Sequence, residues 1–125
     1  ESVMESRLVK KLRDSKNLRE FLGIRETRDF DTQYPLHSGL PDIVPTLNKQ
    51  VVWGVMELKI SQEKMWKAIV QGMAYAMECG HKNVLLVSLF EEGDFPSDIR
   101  KKLDIFEREE GWSFRYHQFQ KLMEL

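Results

Sequence analysis

The sequence contains little that would cross-link the chain or anchor it in a membrane. Its 125 residues include one cysteine, Cys79, which has no second cysteine for an internal disulfide. No apolar run reaches the ~18 residues that a membrane span requires. The first residues also lack the charged and apolar regions of a secretory signal peptide. We therefore expect an intracellular protein, cytoplasmic or nuclear, without a membrane partner.

Neither sign of charge dominates the chain. Its 19 basic and 20 acidic residues leave a net charge of −1, so there is no global attraction to nucleic acid. The basic residues are nevertheless concentrated in the first quarter of the sequence. A local basic surface that contacts phosphates and an ordinary solvated helix face both explain this concentration. The residues concerned are Arg7, Lys10, Lys11, Arg13, Lys16, Arg19, Arg25 and Arg28.

Linkers, repeats and low-complexity segments are absent as well. A chain of 125 residues suffices for one domain with a useful core but leaves little room for a second. We expect residues 1–125 to form a single domain. Because the sequence begins with Glu1 and not with methionine, we expect a domain excised from a larger protein. A homodimer and a fusion to a helicase or another domain both stay open.

Hydrophobic periodicity predicts alternating helices and strands. The predicted helices cover residues 2–22, 62–78 and 97–110, with a short one at 118–125. The predicted strands are 24–31, a segment ending at 41–44, 51–60, 83–90 and 112–117, with a loop at 33–39 and an acidic turn at 91–94. This order predicts an α/β fold around one central mixed sheet flanked by helices.

Three charged residues give the main functional signal. Glu57 and Lys59 are two residues apart in a predicted strand, so their side chains are expected on one face, with Leu58 directed into the core. The short polar segment around Asn48 predicts a hairpin. That hairpin would bring Asp42 beside Glu57.

Two neighbouring carboxylates repel each other unless a cation lies between them. Carboxylate oxygens are the ligands that Mg²⁺ and Mn²⁺ prefer. Lys59 would neutralise part of the charge or hold a water molecule beside a phosphate. The alternative is a surface strand pair whose charges form ordinary salt bridges.

These residues resemble the signature of a known superfamily. Pro41-Asp42 followed by Glu57-Leu58-Lys59 is similar to the PD-(D/E)xK motif of restriction-endonuclease-like nucleases. Gln71 and Tyr75 form a Q-x-x-x-Y pattern on the next helix. This pattern resembles the exonuclease domains of bacterial recombination helicase-nucleases and the nuclease domain of type I restriction subunits.

The resemblance implies a restriction-endonuclease-like core, αβββαβ with an extra αβ unit, and a function. It implies a Mg²⁺- or Mn²⁺-dependent nuclease that hydrolyses phosphodiester bonds, of DNA rather than RNA, leaving 5′-phosphate and 3′-hydroxyl ends. Asp42 and Glu57 would bind the metal with the carbonyl of Leu58, and Lys59 would place the water. Gln71 would bond substrate or Lys59, and Tyr75 would orient nucleic acid. Endonuclease and exonuclease activity both stay open.

Two further residues are candidates for the same site. Glu5 lies on a helical stripe with Leu8 and Leu12, and the first helix of this superfamily often contributes an acidic metal ligand. Its alternative role is a favourable interaction with the helix dipole. His37 would bind metal or phosphate, or would simply be an exposed loop histidine. Ser38 would donate a hydrogen bond to phosphate.

The residues also leave other functions open. One is a catalytically inactive member of the same fold that binds nucleic acid or protein. Another is a metal-dependent phosphoesterase that acts on small nucleotides. Under the structural alternative, Gln71 is a surface amide and Tyr75 an aromatic residue at the edge of the core.

Overall fold

The structure, a computed structural model of the chain, describes residues 2–89 and 95–125. It confirms the α/β class. Residues 90–94, which include the predicted acidic turn and the end of the predicted strand 83–90, lie outside the described residues, as does Glu1. The elements are α1 (Val3–Asp14), α2 (Lys16–Leu22), β1 (Asp29–Asp31), β2 (Val44–Leu47), β3 (Gln50–Val51), β4 (Gly54–Leu58), a 3-10 turn (Gln62–Lys64), α3 (Met65–Glu78), β5 (Asn83–Ser88), α4 (Ser97–Glu110), β6 (Ser113–Gln118) and α5 (Phe119–Met123).

The strands form two small sheets instead of the one central mixed sheet predicted. β1, β2 and β3 make an antiparallel sheet, and β4, β5 and β6 make a parallel one. An antiparallel bridge connects the two sheets, with the N–H of Met56 donating to the carbonyl of Ile43 at 2.9 Å and the reverse bond at 3.2 Å. The predicted strand 51–60 is divided because the chain bends at Trp53, just before β4 begins at Gly54. A restriction-endonuclease-like core therefore stays a prediction.

Helices cover both faces of the parallel sheet. One face packs against α1, α2 and α5, and the other packs against α3 and α4. The central strand β5 is accordingly apolar on both sides, and its four residues from Val84 to Val87 are fully buried. This confirms the prediction that the apolar run beginning at Asn83 is a strand covered on both faces. None of the helices in the described ranges is long and apolar enough to cross a bilayer.

The predicted first helix is in fact two helices that meet at Ser15. The N–H of Ser15 donates to the carbonyl of Lys11 at 2.8 Å and ends α1. Its Oγ accepts a hydrogen bond from the N–H of Leu18 at 3.0 Å and begins α2. Serine is a favoured N-cap, so this local bond competes with continuation of the first helix.

The hairpin turn is tighter than the predicted span of residues 45–50. Asn48 and Lys49 are left-handed, with φ of 52° and 67°, and they join Leu47 to its strand partner Gln50. Two left-handed residues are typical of the type I′ turn, whose twist matches that of the flanking strands. Pro45 belongs to β2. After the turn, β3 runs antiparallel to β2, and the chain then passes the bend at Trp53 and continues into β4.

Replacing Gly54 with alanine should strongly destabilise the fold. Gly54 has φ of 148°, and a Cβ there would lie 1.9 Å from the carbonyl oxygen of Asn83. We expect Gly54→Ala to lower the free energy of unfolding by about 3 kcal/mol in urea denaturation. Gly80→Ala is the control, because φ is 77° and no atom lies within 4 Å of its Cβ. It should cost only ~1 kcal/mol, and equal losses would contradict the prediction.

Candidate functional site

Asp42 and Glu57 lie side by side where β4 ends. The N–H of Asp42 donates to Oε2 of Glu57 at 2.9 Å, and the N–H of Leu58 donates to Oδ2 of Asp42 at 2.8 Å. Ile43, which follows Asp42, forms an antiparallel bridge with Met56, which precedes Glu57, and this bridge sets Asp42 opposite Glu57. The two carboxylates are therefore adjacent, as the hairpin predicts, and each is held through one oxygen by the backbone of the other segment.

Burial makes this pair electrostatically unfavourable when both groups are ionised. Desolvation raises the pKa of Glu57 to about 8, and the charges of Asp42 and Glu5 act in the same direction, against the hydrogen bond from the Asp42 N–H. Desolvation also raises the pKa of Asp42, against the hydrogen bond from the Leu58 N–H. The pair therefore retains protons that two exposed carboxyl groups would lose. A bound cation would favour the doubly ionised form.

Lys59 does not follow the predicted strand geometry. β4 ends at Leu58, and Lys59 has φ of 61°, so strand alternation does not place its side chain. The side chain is exposed, yet its charge lowers the pKa of Asp42 and so acts on the pair. In the described chain, the other non-glycine residues with positive φ are Asn48 and Lys49 in the hairpin turn. A left-handed lysine outside a tight turn is a strained arrangement typical of functional sites.

Leu58 has the predicted orientation. Its side chain is buried in the core cluster that packs against α1, while Val55, three residues earlier, belongs to the cluster on the opposite face. The backbone of Leu58 is tied to the pair through its N–H. Its carbonyl remains our predicted metal ligand.

Glu5 caps the start of α1 and also acts electrostatically on the acidic pair. It forms a capping box with Ser2: its N–H donates to Ser2 Oγ at 3.2 Å, and its Oε2 accepts from the N–H of Ser2 at 2.8 Å. Its charge also raises the pKa of both Asp42 and Glu57, so it lies near them. Within residues 2–89 and 95–125, no three His, Cys, Asp or Glu side chains are arranged to hold a metal ion. Metal binding by Glu5 therefore stays a prediction.

The two residues of the Q-x-x-x-Y pattern contact each other on α3. Nε2 of Gln71 donates to the hydroxyl of Tyr75 at 2.8 Å, so this amide bonds Tyr75 and not Lys59. Tyr75 is 3% exposed. Desolvation raises its pKa, followed by the charge of Glu57 and, more weakly, that of Asp42. The hydroxyl therefore lies on the neighbouring helix close enough for the charges of the acidic pair to act on it.

Sequence reasoning missed Glu78, which fixes the loop beside the site. Its carboxylate accepts from the N–H groups of His37 and Ser38 at 2.6 and 3.0 Å and from the Ser38 hydroxyl at 2.8 Å. Desolvation raises the pKa of Glu78, but these hydrogen bonds outweigh it and the net shift is downward. The one signal in the sequence was a glutamate at the end of a helix, where the dipole disfavours a negative charge.

This contact changes the interpretation of the loop. The Ser38 hydroxyl donates to Oε1 of Glu78 at 2.8 Å, so the predicted hydrogen bond from Ser38 to a phosphate would have to replace this contact. The side chain of His37 is exposed, and its backbone supplies the contact to Glu78. Gly39 brings the loop against α3, since a Cβ there would lie 2.7 Å from the Tyr75 hydroxyl. The loop thus packs beside Tyr75 through its backbone.

No protein-family model, curated protein or solved structure matches this chain. The resemblance to PD-(D/E)xK nucleases therefore depends on the motif residues themselves and stays a prediction.

Proposed function

We propose that this chain is a divalent-metal-dependent nuclease that hydrolyses phosphodiester bonds, with DNA preferred over RNA. The observation that supports this most is the crossed pair of backbone hydrogen bonds that holds Asp42 against Glu57. In the described part of the chain, neither carboxylate forms an ion pair. Holding two such groups together and burying them opposes stability, which favours a cation-dependent function over a structural one.

The donor set fits a hard divalent ion. Each carboxylate uses one oxygen for a backbone hydrogen bond and has a second oxygen for a cation. Asp42 and Glu57 would hold Mg²⁺ or Mn²⁺, together with the carbonyl of Leu58 and with Glu5. When bound, the ion supplies neutralisation of the negative charge at the scissile phosphate.

In addition to the metal ion, Lys59 would contribute a positively charged side chain to the site. Its exposed ammonium group lies at the end of the strand that carries Glu57 and acts on Asp42. From there it would hold the attacking water by a hydrogen bond and stabilise the charge developing on the phosphate oxygens. Lys59 follows the end of β4 with a left-handed backbone and an exposed side chain, so its ammonium group would be accessible to substrate.

Tyr75 and Gln71 would orient the substrate. The ring of Tyr75 is buried and its hydroxyl, on which the charges of Glu57 and Asp42 act, is held by the hydrogen bond from Gln71. A fixed hydroxyl can donate a hydrogen bond to a phosphate oxygen and hold the scissile bond in register.

Cleavage assays test the proposal directly. The protein is incubated with linear, circular, single-stranded and branched DNA and with RNA, in Mg²⁺, Mn²⁺ or EDTA. We expect cleavage of DNA in either metal, none in EDTA, and 5′-phosphate ends. Cleavage that persists in EDTA contradicts the proposal.

A second measurement separates the alternatives. Calorimetric titration with Mn²⁺ should show binding to the folded protein. Nucleic-acid binding without Mn²⁺ binding or cleavage would indicate the inactive module instead. Hydrolysis of free nucleotides with intact DNA would indicate a small-molecule phosphoesterase.

Replacing Tyr75 with phenylalanine tests the orienting role. Tyr75→Phe keeps the buried ring and removes the hydroxyl that accepts from Gln71. We expect cleavage to fall about tenfold, while the free energy of unfolding changes by about 1 kcal/mol or less. Tyr34→Phe is the control, because the Tyr34 hydroxyl bonds the carbonyl of Lys49 in the hairpin. If both variants cleave at the wild-type rate, Tyr75 has only a packing role.

A further inference from the structure

The outer face of α1 carries a stripe of basic residues. Arg7, Lys10 and Lys11, here called the basic stripe, are followed by Asp14 at the spacing i, i+3, i+4 and i+7, which places all four on one side of the helix. These four residues and Met123 of α5 line a groove of about 470 Å³. The groove is open to solvent and predominantly basic.

The cations of the basic stripe are available to a ligand. None of the three forms an ion pair in the described ranges. Arg7 and Lys10 are exposed and Lys11 is half-buried. The guanidinium of Arg7 lies 5.2 Å from the centre of the Phe119 ring, which positions this charge against the α5 wall of the groove.

Two other basic residues of the first quarter, Arg19 and Lys16, are already engaged. Nη1 of Arg19 donates to the carbonyls of Leu12 and Arg13, each at 2.8 Å, and the side chain is buried. Lys16 pairs with Glu20 at 3.6 Å. Arg19 therefore stabilises the junction of α1 and α2, and the basic stripe is the set of unpaired cations closest in sequence to Glu5.

The basic stripe is close to Glu5 along the chain but lies on the opposite side of α1, because helix residues two apart do not share a face. Glu5, whose charge acts on Asp42 and Glu57, precedes Arg7 by two residues on the same helix. At 1.5 Å per residue, Arg7 and Lys11 lie roughly 3 and 9 Å beyond Glu5 along the helix axis. The basic stripe is therefore roughly 6 Å long from Arg7 to Lys11. Each strand of a duplex presents one phosphate per ~3.4 Å of axis, so the stripe matches about two or three phosphates.

We propose that the basic stripe binds the phosphate backbone of nucleic acid outside the catalytic centre, on the side of α1 opposite Glu5. This inference rests on the proposed nuclease function and specifies how substrate reaches the site. A chain with a net charge of −1 requires a local cationic surface to hold a polyanion near three carboxylates. The contacts would be independent of base sequence because they involve phosphates alone. The negatively charged side chain of Asp14 ends the basic surface at the C-terminal end of α1.

Salt-dependent DNA binding in EDTA tests the inference without requiring cleavage. Fluorescence anisotropy with a labelled duplex of about 30 base pairs is measured over a range of salt concentrations. The variant carries Arg7→Gln, Lys10→Gln and Lys11→Gln together. We expect affinity to fall at least about tenfold near 0.1 M salt and the slope of log K against log salt to decrease by about 2 to 3.

A control with the same change in net charge excludes a general electrostatic effect. Lys101→Gln, Lys102→Gln and Arg108→Gln remove three cations from α4, on the opposite side of the parallel sheet. This variant should bind DNA within about twofold of wild type. Equal losses in the two variants, or none in the stripe variant, overturn the inference. Circular dichroism confirms that both variants are folded.

The outcomes distinguish this inference from the proposed function. Stripe-dependent DNA binding without any metal-dependent cleavage would refute the nuclease proposal and retain the phosphate-binding surface. Metal-dependent cleavage with DNA binding that does not depend on the stripe would support the nuclease proposal and refute the phosphate-binding surface. Stripe-dependent binding to phosphatidylserine vesicles with no binding to DNA would overturn the inference, because the partner would then be a membrane surface.

Discussion

Lys59→Ala should abolish most nuclease activity while leaving the fold intact. The side chain is exposed, so its removal should change the free energy of unfolding by no more than about 0.5 kcal/mol. Loss of a group that holds water and stabilises developing charge should reduce the rate of DNA cleavage by about 100- to 1,000-fold. Gel assays in Mg²⁺ measure this effect.

Lys49→Ala is a closely matched control. Lys49 is also an exposed lysine with a left-handed backbone, at φ of 67° compared with 61° for Lys59, but it lies in the hairpin turn. Both substitutions keep a Cβ on a left-handed backbone, so any change in backbone strain should be the same in the two variants. Lys49→Ala should cleave DNA at nearly the wild-type rate, and equal losses would show that the effect comes from the backbone and not from the ammonium group.

Metal binding by the Lys59 variant distinguishes a role of Lys59 in catalysis from a role in binding the metal ion. If Lys59 acts on water and phosphate, Lys59→Ala should still bind Mn²⁺ in calorimetry, because Asp42 and Glu57 are unchanged. Removing the ammonium also removes a charge that lowers the pKa of Asp42. Loss of Mn²⁺ binding in a folded Lys59→Ala protein would contradict the role proposed here.

Glu57→Gln should eliminate cleavage and at the same time stabilise the protein at alkaline pH. The Gln side chain retains an oxygen that can accept from the N–H of Asp42. Because it carries no charge, it avoids the cost of ionising a buried carboxyl group. Loss of function with gain of stability is the pattern expected of a residue maintained for activity.

The sign of the pH dependence follows from the raised pKa. Folding raises the pKa of Glu57 from 4.5 to about 8, so the folded protein retains a proton that the unfolded chain releases. Its contribution to stability is complete below pH 4.5 and is lost as the pH rises to about 8. Without divalent ions, the unfolding free energy of wild type should fall by on the order of a few kcal/mol over this range.

Urea denaturation across this pH range tests the prediction. Glu57→Gln should lose much of the decline, keeping only the smaller part due to Asp42, whose pKa is also raised. Glu63→Gln, at an exposed glutamate, should behave as wild type. Saturating Mg²⁺ should raise the melting temperature of wild type at pH 8 and leave that of Glu57→Gln nearly unchanged. The same pH dependence in wild type and Glu57→Gln would refute the electrostatic account.

The proximity of Asp42 and Glu57 was predictable because it follows from local signals. A polar segment with Asn48 between two apolar runs predicts a hairpin, and hairpin register fixes which residues lie opposite each other. The bend at Trp53 did not disturb this pairing, since the bridge between Ile43 and Met56 restores the alignment. The α/β class was predictable for the same reason, because element type depends on periodicity.

Other features depended on competition between local bonds and tertiary contacts. Ser15 divides the first helix because its hydroxyl caps α2, although the apolar spacing alone favours one continuous helix. Lys59 leaves the strand geometry that its spacing from Glu57 predicts, because β4 ends one residue earlier. A terminal residue of an element is where local preference is weakest.

The sequence by itself determined the alternation of helical and strand regions, the buried central strand and the pairing of two carboxylates, since each is encoded by residues close along the chain. Tertiary structure alone decided that Glu78 holds the loop at His37, that Arg19 closes the junction of α1 and α2, and that the sheet is divided in two. These contacts depend on where separate helices and strands finally lie. Hydrophobic periodicity does not predict these contacts, because they join residues that become neighbours only when the core has packed.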